Sequence, residues 1–581
     1  GSYALSHTHT TQENLYLAAN LNYQINKDWE VHGFLREEYF NQYAQYNSES
    51  TNGGLIVPNQ FFIKNSKQQA SFNAYKFNTK RIVSTIFMIG TSWKNQLFLD
   101  ITGRNDWSSA LVYSYGTGNF SYFYPSVSGS WIITETFKDK LPKWVSFAKV
   151  RGSWAQVGND TSPYYINSGY SVATYQRGDK KIYGMTIPEN MKSTNLKPER
   201  KNAWEVGLDW RFFDSRIGVD LTYYKENTRN QIMTINVPWE SGVKEKLINA
   251  GNIQNSGIEI ALNTTPIKKK QWQWDLNFTY TRNRNKIVEL SPDVTSYINL
   301  DGAANYGNYR IASVAKVGSD YGMLMSDSWI KTDEKTGKPV VGYTNKFRTV
   351  YYKRGGTVKE VGSMLPNFLG SLNSTLRWKD LSLYVLFDAR FGGYVASYNS
   401  RYATAYGFSG ETEKYRKGMT WTSKYANAQD KVFTDGFIPD VVFDAGTIVT
   451  TPGGTNQDVS GMTYQEAYEK GYVEPAHLQS AAYFKNSWGT GVINDDWFKK
   501  INYIALREIT LSYNVPTKIS SYIGAKNLSL SFTGRNLAYL LNTAPNHENP
   551  ESVRGTGAAQ FRMRSFMPYT ASYLFTLNAT F

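Results

Sequence analysis

The 581-residue sequence predicts an all-β protein, a transmembrane antiparallel β-barrel. Three observations favour this class: strict alternation of apolar and polar residues, strands of about a dozen residues, and connections that are alternately very short and very long. Strands of soluble domains average about five or six residues, whereas a tilted strand that crosses a bilayer needs about 9–11. The strand lengths therefore favour a membrane barrel over a stack of soluble β-domains.

The alternation is clearest in residues 204–212, where every second side chain is large and apolar while Glu205, Asp209 and Arg211 occupy the opposite face. Residues 15–25 and 272–281 repeat the pattern. One face of each strand thus suits lipid and the other suits a polar lumen. The mean hydropathy of −0.48 is the average over an apolar and a polar strand face. No apolar run in the sequence is long enough for a helix that spans a bilayer.

We predict 15 such strands, and every tight turn follows an odd-numbered one. They cover residues 12–25, 29–40, 82–92, 96–106, 119–134, 144–156, 201–213, 216–229, 251–264, 271–284, 366–378, 381–391, 501–514, 526–538 and 566–581. A bacterial single-chain barrel closes with an even number of strands, so we expect residues 1–581 to be the C-terminal part of a larger barrel. Long outer loops are expected near 41–81, 157–200, 285–365 and 392–500.

The composition excludes several other classes. The sequence has no cysteine, which excludes disulfide scaffolds, Cys-based zinc sites and Cys nucleophiles. Its five histidines and scattered carboxylates form no recognisable constellation, so we expect no catalytic residues, no metal and no other cofactor. The formal charge is +15, but the Lys and Arg residues form no basic stripe with stacking aromatics. We therefore expect no nucleic-acid partner.

A series of short motifs runs in a fixed order from about residue 100 to the C-terminus. They occupy residues 99–109, 124–131, 149–159, 196–208, 255–260, 504–516 and 530–537, and the terminal strand closes on Phe581. This ordered series resembles the C-terminal barrel of TonB-dependent outer-membrane transporters, specifically the SusC/RagA branch found in Bacteroidetes. Residues 549–552 resemble the family's Asp-Pro-Glu pattern, with Asn549 in place of its first acidic residue.

The resemblance implies a 22-stranded barrel around an N-terminal plug, so these would be the last 15 strands, with the plug and the remaining barrel strands preceding Gly1. It implies an importer in the Gram-negative outer membrane, surrounded by lipid. The implied partners are a SusD-like surface lipoprotein, the TonB–ExbB–ExbD complex, reached through the N-terminal part, and an oligosaccharide or peptide ligand. Two alternatives stay open: a siderophore or cobalamin receptor without a lipoprotein lid, and a non-transporting surface glycan-binding or adhesion protein.

Three groups of candidate functional residues follow. Charged residues on the polar phase of the strands are expected to line the lumen and dock the plug; they are Asp100, Arg104, Lys149, Arg151, Glu205, Asp209, Arg211, Asp275 and Glu508. Aromatic residues of the long loop 392–500 are candidates for ligand contact; they are Tyr406, Trp421, Trp488 and Trp497. The terminal strand resembles the family's barrel-assembly signal, carried here by Tyr573, Phe575, Leu577 and Phe581.

Overall fold

The structure is a computed structural model with two compact units. One unit comprises residues 1–259 and 287–295, and the other comprises residues 260–286 and 296–581. The residues it describes are 1–138, 140–237, 239–291, 297–300, 311–413, 416, 418–428, 431–477, 482–488, 493–495, 497–553, 557, 561–564 and 568–581.

The first unit is an antiparallel meander in which each long strand pairs with the next long strand along the chain. Its strands are β1 (Ala4–Gln24), β2 (Trp29–Leu55), β3 (Ser66–Trp93), β4 (Leu97–Ser108), β5 (Ser121–Ile132), β6 (Val145–Asn159), β7 (Ser171–Arg177), β8 (Lys180–Thr186), β9 (Asn190–Lys192), β10 (Glu199–Phe212), β11 (Ile217–Asn236) and the beginning of β12 (Glu245–Lys269). The short helix α1 (Ile133–Thr136) follows β5. β7 and β8 form a two-stranded sheet of their own.

The second unit contains an antiparallel meander of the same kind and many short strands between its members. The meander consists of β13 (Trp272–Glu289), β20 (Phe368–Trp378), β21 (Leu381–Ser397), β28 (Phe498–Val515), β29 (Asn527–Asn542) and β31 (Ser572–Thr580). The other strands are β14 (Tyr297–Asn299), β15 (Ile311–Lys316), β16 (Met323–Ser326), β17 (Val340–Thr344), β18 (Thr349–Tyr352), β19 (Lys359–Ser363), β22 (Met419–Thr422), β23 (Val432–Phe437), β24 (Val442–Phe443), β25 (Ile448–Thr450), β26 (Asn456–Asp458), β27 (Ala476–His477) and β30 (Arg562–Met563). The helices are α2 (Tyr398–Ala405), α3 (Tyr464–Glu469), α4 (Ala482–Trp488) and α5 (Thr517–Ser520). Among the residues described, no helix is long and apolar enough to cross a bilayer.

Each meander exposes one apolar face. In β1, the side chains of Leu15, Leu17 and Leu21 are 65 %, 79 % and 55 % exposed. In the second unit, Phe532 and Phe575 are exposed in the same way. Contiguous apolar surface of this extent is costly in water but favourable in lipid. The exposed apolar phase is therefore the lipid-facing side that the alternation predicts.

Aromatic pairs mark the ends of the strands at the short turns. The rings of Trp29 and Trp93 lie 6.4 Å apart across β2 and β3, and those of Trp272 and Trp378 lie 5.6 Å apart across β13 and β20. Both pairs are directly opposite in the strand register. Tryptophan favours the boundary between lipid and water, so these pairs occupy the girdle positions expected of a membrane barrel.

All 15 predicted segments overlap a long strand, but the predicted loop at 41–81 is mostly strand. β2 continues to Leu55 and β3 starts at Ser66, so only residues 56–65 connect them. The sequence from 41 to 55 is rich in Asn, Gln and Ser and lacks an alternating apolar phase. A strand that projects beyond the bilayer needs no lipid-facing side, and its sequence therefore looks like a loop. Residues 566–567 of the last predicted strand lie outside the described residues.

The two longest predicted loops, 285–365 and 392–500, fold against each other. Val341 and Val350 of the first share a buried cluster with Phe443, Tyr464 and other residues of the second. β17 also pairs in parallel with β24, which joins the two segments by backbone hydrogen bonds. These connections thus have a hydrophobic core of their own.

Candidate functional site on the polar face of the strands

A row of polar residues crosses the first unit on the face opposite the apolar one. By strand register, His32 of β2 is in line with Asp100 of β4, Ser128 of β5, Ser153 of β6 and Glu205 of β10. Side chains that are successive cross-strand partners share a face of the sheet. The row therefore brings residues from sequence positions 32 to 205 onto one polar surface.

This surface contains a recess of about 310 Å³. Small residues of β5 and β6 contribute to its lining and leave space because Gly and Ser carry little or no side chain, and four charged residues complete the lining. The lining residues are Asp100, Ser128, Gly129, Ser130, Lys149, Arg151, Gly152, Ser153 and Glu205. The structure thus brings together four residues predicted to line the lumen: Asp100, Lys149, Arg151 and Glu205.

Arg151 is held by polar side chains of the next two strands, β10 and β11. Its guanidinium donates to both oxygens of Asp220 at 2.9 and 3.1 Å and to the hydroxyl of Thr222 at 2.6 Å, and lies 3.7 Å from Glu205. To reach β11 from β6 it passes over Gly207 of β10, where a Cβ would be only 2.6 Å from the guanidinium carbon. The glycine makes this ion pair possible.

The same arrangement occurs at the other side of the recess. Nε2 of His32 lies 3.3 Å from Oδ1 of Asp100, and the two side chains meet over Gly90 of the intervening strand β3. Asp100 was predicted from the polar phase of β4. His32 was not, although it lies on the polar phase of β2, because a single histidine carries no motif.

Arg104 is the centre of a second cluster on this face. It donates to Asp106 at 2.7 Å and to Ser84 at 3.0 Å, and Glu38 lies 3.8 Å away. The hydroxyl of Tyr124 also donates to Asp106, which is only 5 % exposed. Arg104 was predicted, whereas Asp106 and Glu38 were not. The i, i+2 spacing of Arg104 and Asp106 is a signal that could have identified the pair, since it places both on one face.

The remaining predicted lining residues also have partners. Arg211 pairs with Asp209 at 3.2 Å on the same strand. In the second unit, Asp275 accepts from Arg377 at 2.5 Å, and Glu508 accepts from Arg535 at 2.9 Å. The last two pairs join neighbouring strands, so many charges of the polar face are matched by an opposite charge on the same face.

Arg507 is a functional candidate that the alternation did not reveal. It lies in a β-bulge, because the register of β28 shifts between Leu506 and Glu508 against both neighbouring strands. Arg507 donates to Asp388 at 2.7 Å and through two nitrogens to Glu551 at 2.7 Å each. Tyr539 donates to the same Glu551 at 2.9 Å. Burial disfavours ionisation of Glu551, but the bonds from Arg507 and Tyr539 hold its pKa below the ordinary value.

The four loop aromatics have different environments. Tyr406 is half exposed at the end of α2 and stacks on Tyr402 at 6.1 Å. Trp421 stacks on Phe433 at 4.7 Å, and its indole N–H donates to Glu474. Trp497 is 1 % exposed and packs in a buried cluster, so it lies in the loop core and not on an open surface. The backbone of Trp488 ends α4, and its side chain is outside the described residues.

The terminal strand β31 presents Tyr573, Phe575 and Leu577 on one face, between 58 % and 72 % exposed. Phe581 is 71 % exposed and follows the strand directly, and its backbone carbonyl accepts from Nζ of Lys526 at 3.2 Å. Within the described part of the chain, no three His, Asp or Glu side chains come together as metal ligands would.

Comparisons with known proteins agree with the architecture. The family described as "TonB dependent receptor-like, beta-barrel" matches residues 1–537. The chain is 23 % identical over 486 residues to TonB-dependent receptor P26 of Formosa agariphila. The matched region covers 82 % of this chain and 43 % of that receptor. It is 27 % identical over 270 residues to TonB-dependent receptor SusC of Bacteroides thetaiotaomicron, covering 45 % of this chain and 26 % of SusC.

Among solved structures, the RagAB peptide transporter superposes with a TM-score of 0.71 at 17 % identity, over all of this chain and 56 % of that one. That identity supports a shared fold alone. The chain spans about half the length of the proteins it matches, or less. The family match extends over most of the sequence, and the apolar and polar faces are those of a membrane barrel. The chain therefore belongs to the TonB-dependent receptor-like β-barrel family of the outer membrane, as its motif series predicted.

Proposed function

We propose that this chain forms most of the wall of a SusC-type importer, which moves an oligosaccharide or a peptide across the outer membrane into the periplasm. The observation that carries the proposal is the pairing of an exposed apolar face with a charged, recessed face on the same strands. A wall of this kind shields a polar solute from lipid. The likeness to SusC supports the branch, and the superposition on the RagAB structure supports the fold.

In this proposal, the polar face is the docking surface for the plug domain of the importer. Asp100, Lys149, Arg151 and Glu205 surround a recess into which a polar segment can insert. Their side chains supply donors and acceptors of both charges, so a polypeptide segment finds partners for its own polar groups there. Energy reaches the plug from the TonB–ExbB–ExbD complex, and a SusD-like lipoprotein covers the outer mouth. No catalytic step is part of this function.

The test is uptake by living cells. Deleting the gene, or removing TonB, is expected to abolish growth on the transported glycan or peptide and the uptake of its labelled form. Panels of glycans and peptides, assayed for binding to the purified complex, identify the ligand class. Binding of a ferric siderophore or cobalamin, with no binding to either panel, would overturn the nutrient assignment. Uptake that is unchanged without TonB would overturn the energised mechanism.

A further inference from the structure

One end of the second unit carries an excess of positive charge. Three short connections lie there, at residues 268–271, 379–380 and 516–526, and they contain six lysines and one acidic residue. All six lysines are exposed; they are Lys268, Lys269, Lys270, Lys379, Lys518 and Lys526. The long connection at 398–497, by contrast, contains eight basic and twelve acidic residues. The short connections thus carry a net charge of +5, whereas the longest one carries −4.

Backbone hydrogen bonds join these connections into one edge. The N–H of Lys379 donates to the carbonyl of Gln271 at 2.9 Å, so the first two connections are in contact. The N–H of Asn514, near the end of β28, donates to the carbonyl of Asp380 at 2.8 Å, and the third connection follows β28 directly. The lysines therefore form a row along the end of the sheet, which we call the basic edge.

Tryptophan places the basic edge at the boundary between lipid and water. Trp272 and Trp378 stack at 5.6 Å beside it, and Nζ of Lys379 lies 5.4 Å from the ring of Trp378. A lysine next to a boundary tryptophan can keep its methylene stem on the apolar side while its ammonium group reaches the lipid headgroups. The first unit has the same arrangement at one of its own short turns, where Nζ of Lys94 lies 5.0 Å from the ring of Trp93.

The connection at 516–526 also exposes apolar side chains. Ile519, Tyr522 and Ile523 are 56 %, 89 % and 57 % exposed, close in sequence to Lys518. Exposed apolar groups combined with lysine are typical of segments that lie in the headgroup region of a membrane. Inorganic phosphate would neutralise the lysines but would leave these three side chains in water. A lipid surface accommodates both, and the tryptophans show that it is within reach.

We propose that the basic edge binds anionic phospholipids, such as phosphatidylglycerol, in the periplasmic leaflet of the outer membrane. The short turns of outer-membrane barrels face the periplasm, so the lysines lie at the phosphates of that leaflet. Each lysine near an anionic surface adds an attraction that salt screens. The protein therefore concentrates anionic lipid around this edge, whichever solute it transports.

Contact quenching measures the lipid composition at the edge. The 581 residues contain no cysteine, so a bimane probe is placed on Gln271→Cys in the full-length protein, otherwise free of cysteine, in phosphatidylethanolamine vesicles. Phosphatidylglycerol or phosphatidylcholine, brominated near the headgroup, is added at equal mole fraction. The matched control is a probe on Leu369→Cys, an exposed position at the opposite end of β20. We expect phosphatidylglycerol to quench at least about twofold more than phosphatidylcholine at position 271, and equally at position 369.

Removal of charge provides the second arm. One variant neutralises the lysines next to the probe; it combines Lys268→Gln, Lys269→Gln and Lys270→Gln. The quenching ratio at position 271 is expected to fall towards one in this variant, and also in the wild type at about 0.5 M salt. The matched control neutralises three exposed loop lysines of the same unit and should leave the ratio unchanged; it combines Lys335→Gln, Lys346→Gln and Lys470→Gln.

Several results would overturn the proposal. They are equal quenching by the two lipids at position 271 in the wild type, the same excess at positions 271 and 369, and an excess that persists in the variant and in high salt. An excess that inorganic phosphate removes at constant ionic strength would overturn the lipid assignment in favour of free phosphate. If the glutamine variant fails to assemble, the salt dependence of the wild type decides.

Discussion

Gly90 and Gly207 leave space in which side chains of the two flanking strands can meet. At each position, two charged or polar side chains from the flanking strands meet above the missing Cβ: His32 with Asp100, and Arg151 with Asp220. Such pairs join strand i to strand i+2, beyond the nearest-neighbour contacts of the hydrogen-bonded ladder. They couple three strands of the wall through side chains alone.

Gly207→Ala is expected to destabilise the assembled barrel by about 1–2 kcal/mol. The new Cβ would lie 2.6 Å from the Arg151 guanidinium, which must move and give up its bonds to Asp220 and Thr222. Gly152→Ala is the matched control, because its Cβ would meet its nearest atom at an ordinary 3.8 Å. The measurement is the midpoint of urea unfolding in detergent, and equal midpoints for the two variants would contradict the role of Gly207.

Glu548 is a buried carboxyl in the connection after β29. It is 6 % exposed and accepts from the hydroxyl of Ser397, the residue that caps α2. Burial raises the pKa of Glu548 from 4.5 to about 7, although the bond from Ser397 opposes the shift. The carboxyl therefore keeps its proton in the folded protein under mildly acidic conditions.

This shift makes the local structure less stable as the pH rises. Below about pH 4.5 the carboxyl is protonated in both the folded and the unfolded chain. Between 4.5 and 7 the folded state alone binds the proton, so stability falls through this window, by up to about 3 kcal/mol. We expect hydrogen exchange of residues 543–553, corrected for intrinsic rates, to accelerate from pH 5 to 8. Glu548→Gln should remove this dependence, and an unchanged pH profile in that variant would contradict the assignment.

At the scale of elements, the β-bulge in β28 determines how the last connection is held. The bulge turns Arg507 to the side of the sheet where Asp388 of β21 and Glu551 of the connection are found. Tyr539 of β29 contacts both Asn549 and Glu551, at 3.1 and 2.9 Å. Arg507 and Tyr539 thus attach the Asn-Pro-Glu segment to β28 and β29.

Glu551→Gln is expected to weaken the attachment of this segment to β28 and β29. The substitution removes the charge that accepts two bonds from Arg507, and charge-assisted bonds are about twice as strong as neutral ones. Limited proteolysis of outer-membrane preparations should cut residues 543–553 several-fold faster than in the wild type. Glu334→Gln, at an exposed loop position, is the control. Equal cleavage rates in both variants would show that the ion pair does not hold the segment.

At the scale of the whole molecule, the exposed end of β31 bears on assembly. Deleting Phe581 is expected to lower the amount of folded barrel in the outer membrane, because the resemblance implies that the terminal aromatic is recognised by the insertion machinery. The Phe581 side chain is exposed, so its loss removes little packing. The Phe581 backbone carbonyl accepts a hydrogen bond from Nζ of Lys526. Heat-modifiable barrel is measured, with Tyr522→Ala as an exposed aromatic control. Normal barrel levels after the deletion would refute the role.

The sequence by itself determined the strands, their two faces and the family. Alternation has a period of two residues and is local, so Glu205 and Arg211 could be placed on the polar face without knowing their neighbours. The same reasoning found four residues of the recess. Alternation did not identify the strand at residues 41–55, where β2 extends beyond the bilayer. A strand needs an alternating apolar phase only where it contacts lipid.

The tertiary structure decided which polar residues meet. Arg151 reaches Asp220 across 69 positions of sequence because register aligns β6, β10 and β11 and because Gly207 leaves room. The bulge at Arg507 and the common core of the two longest loops likewise depend on contacts between distant segments. No local pattern contains such contacts, since they arise from the alignment of strands and not from the period within one.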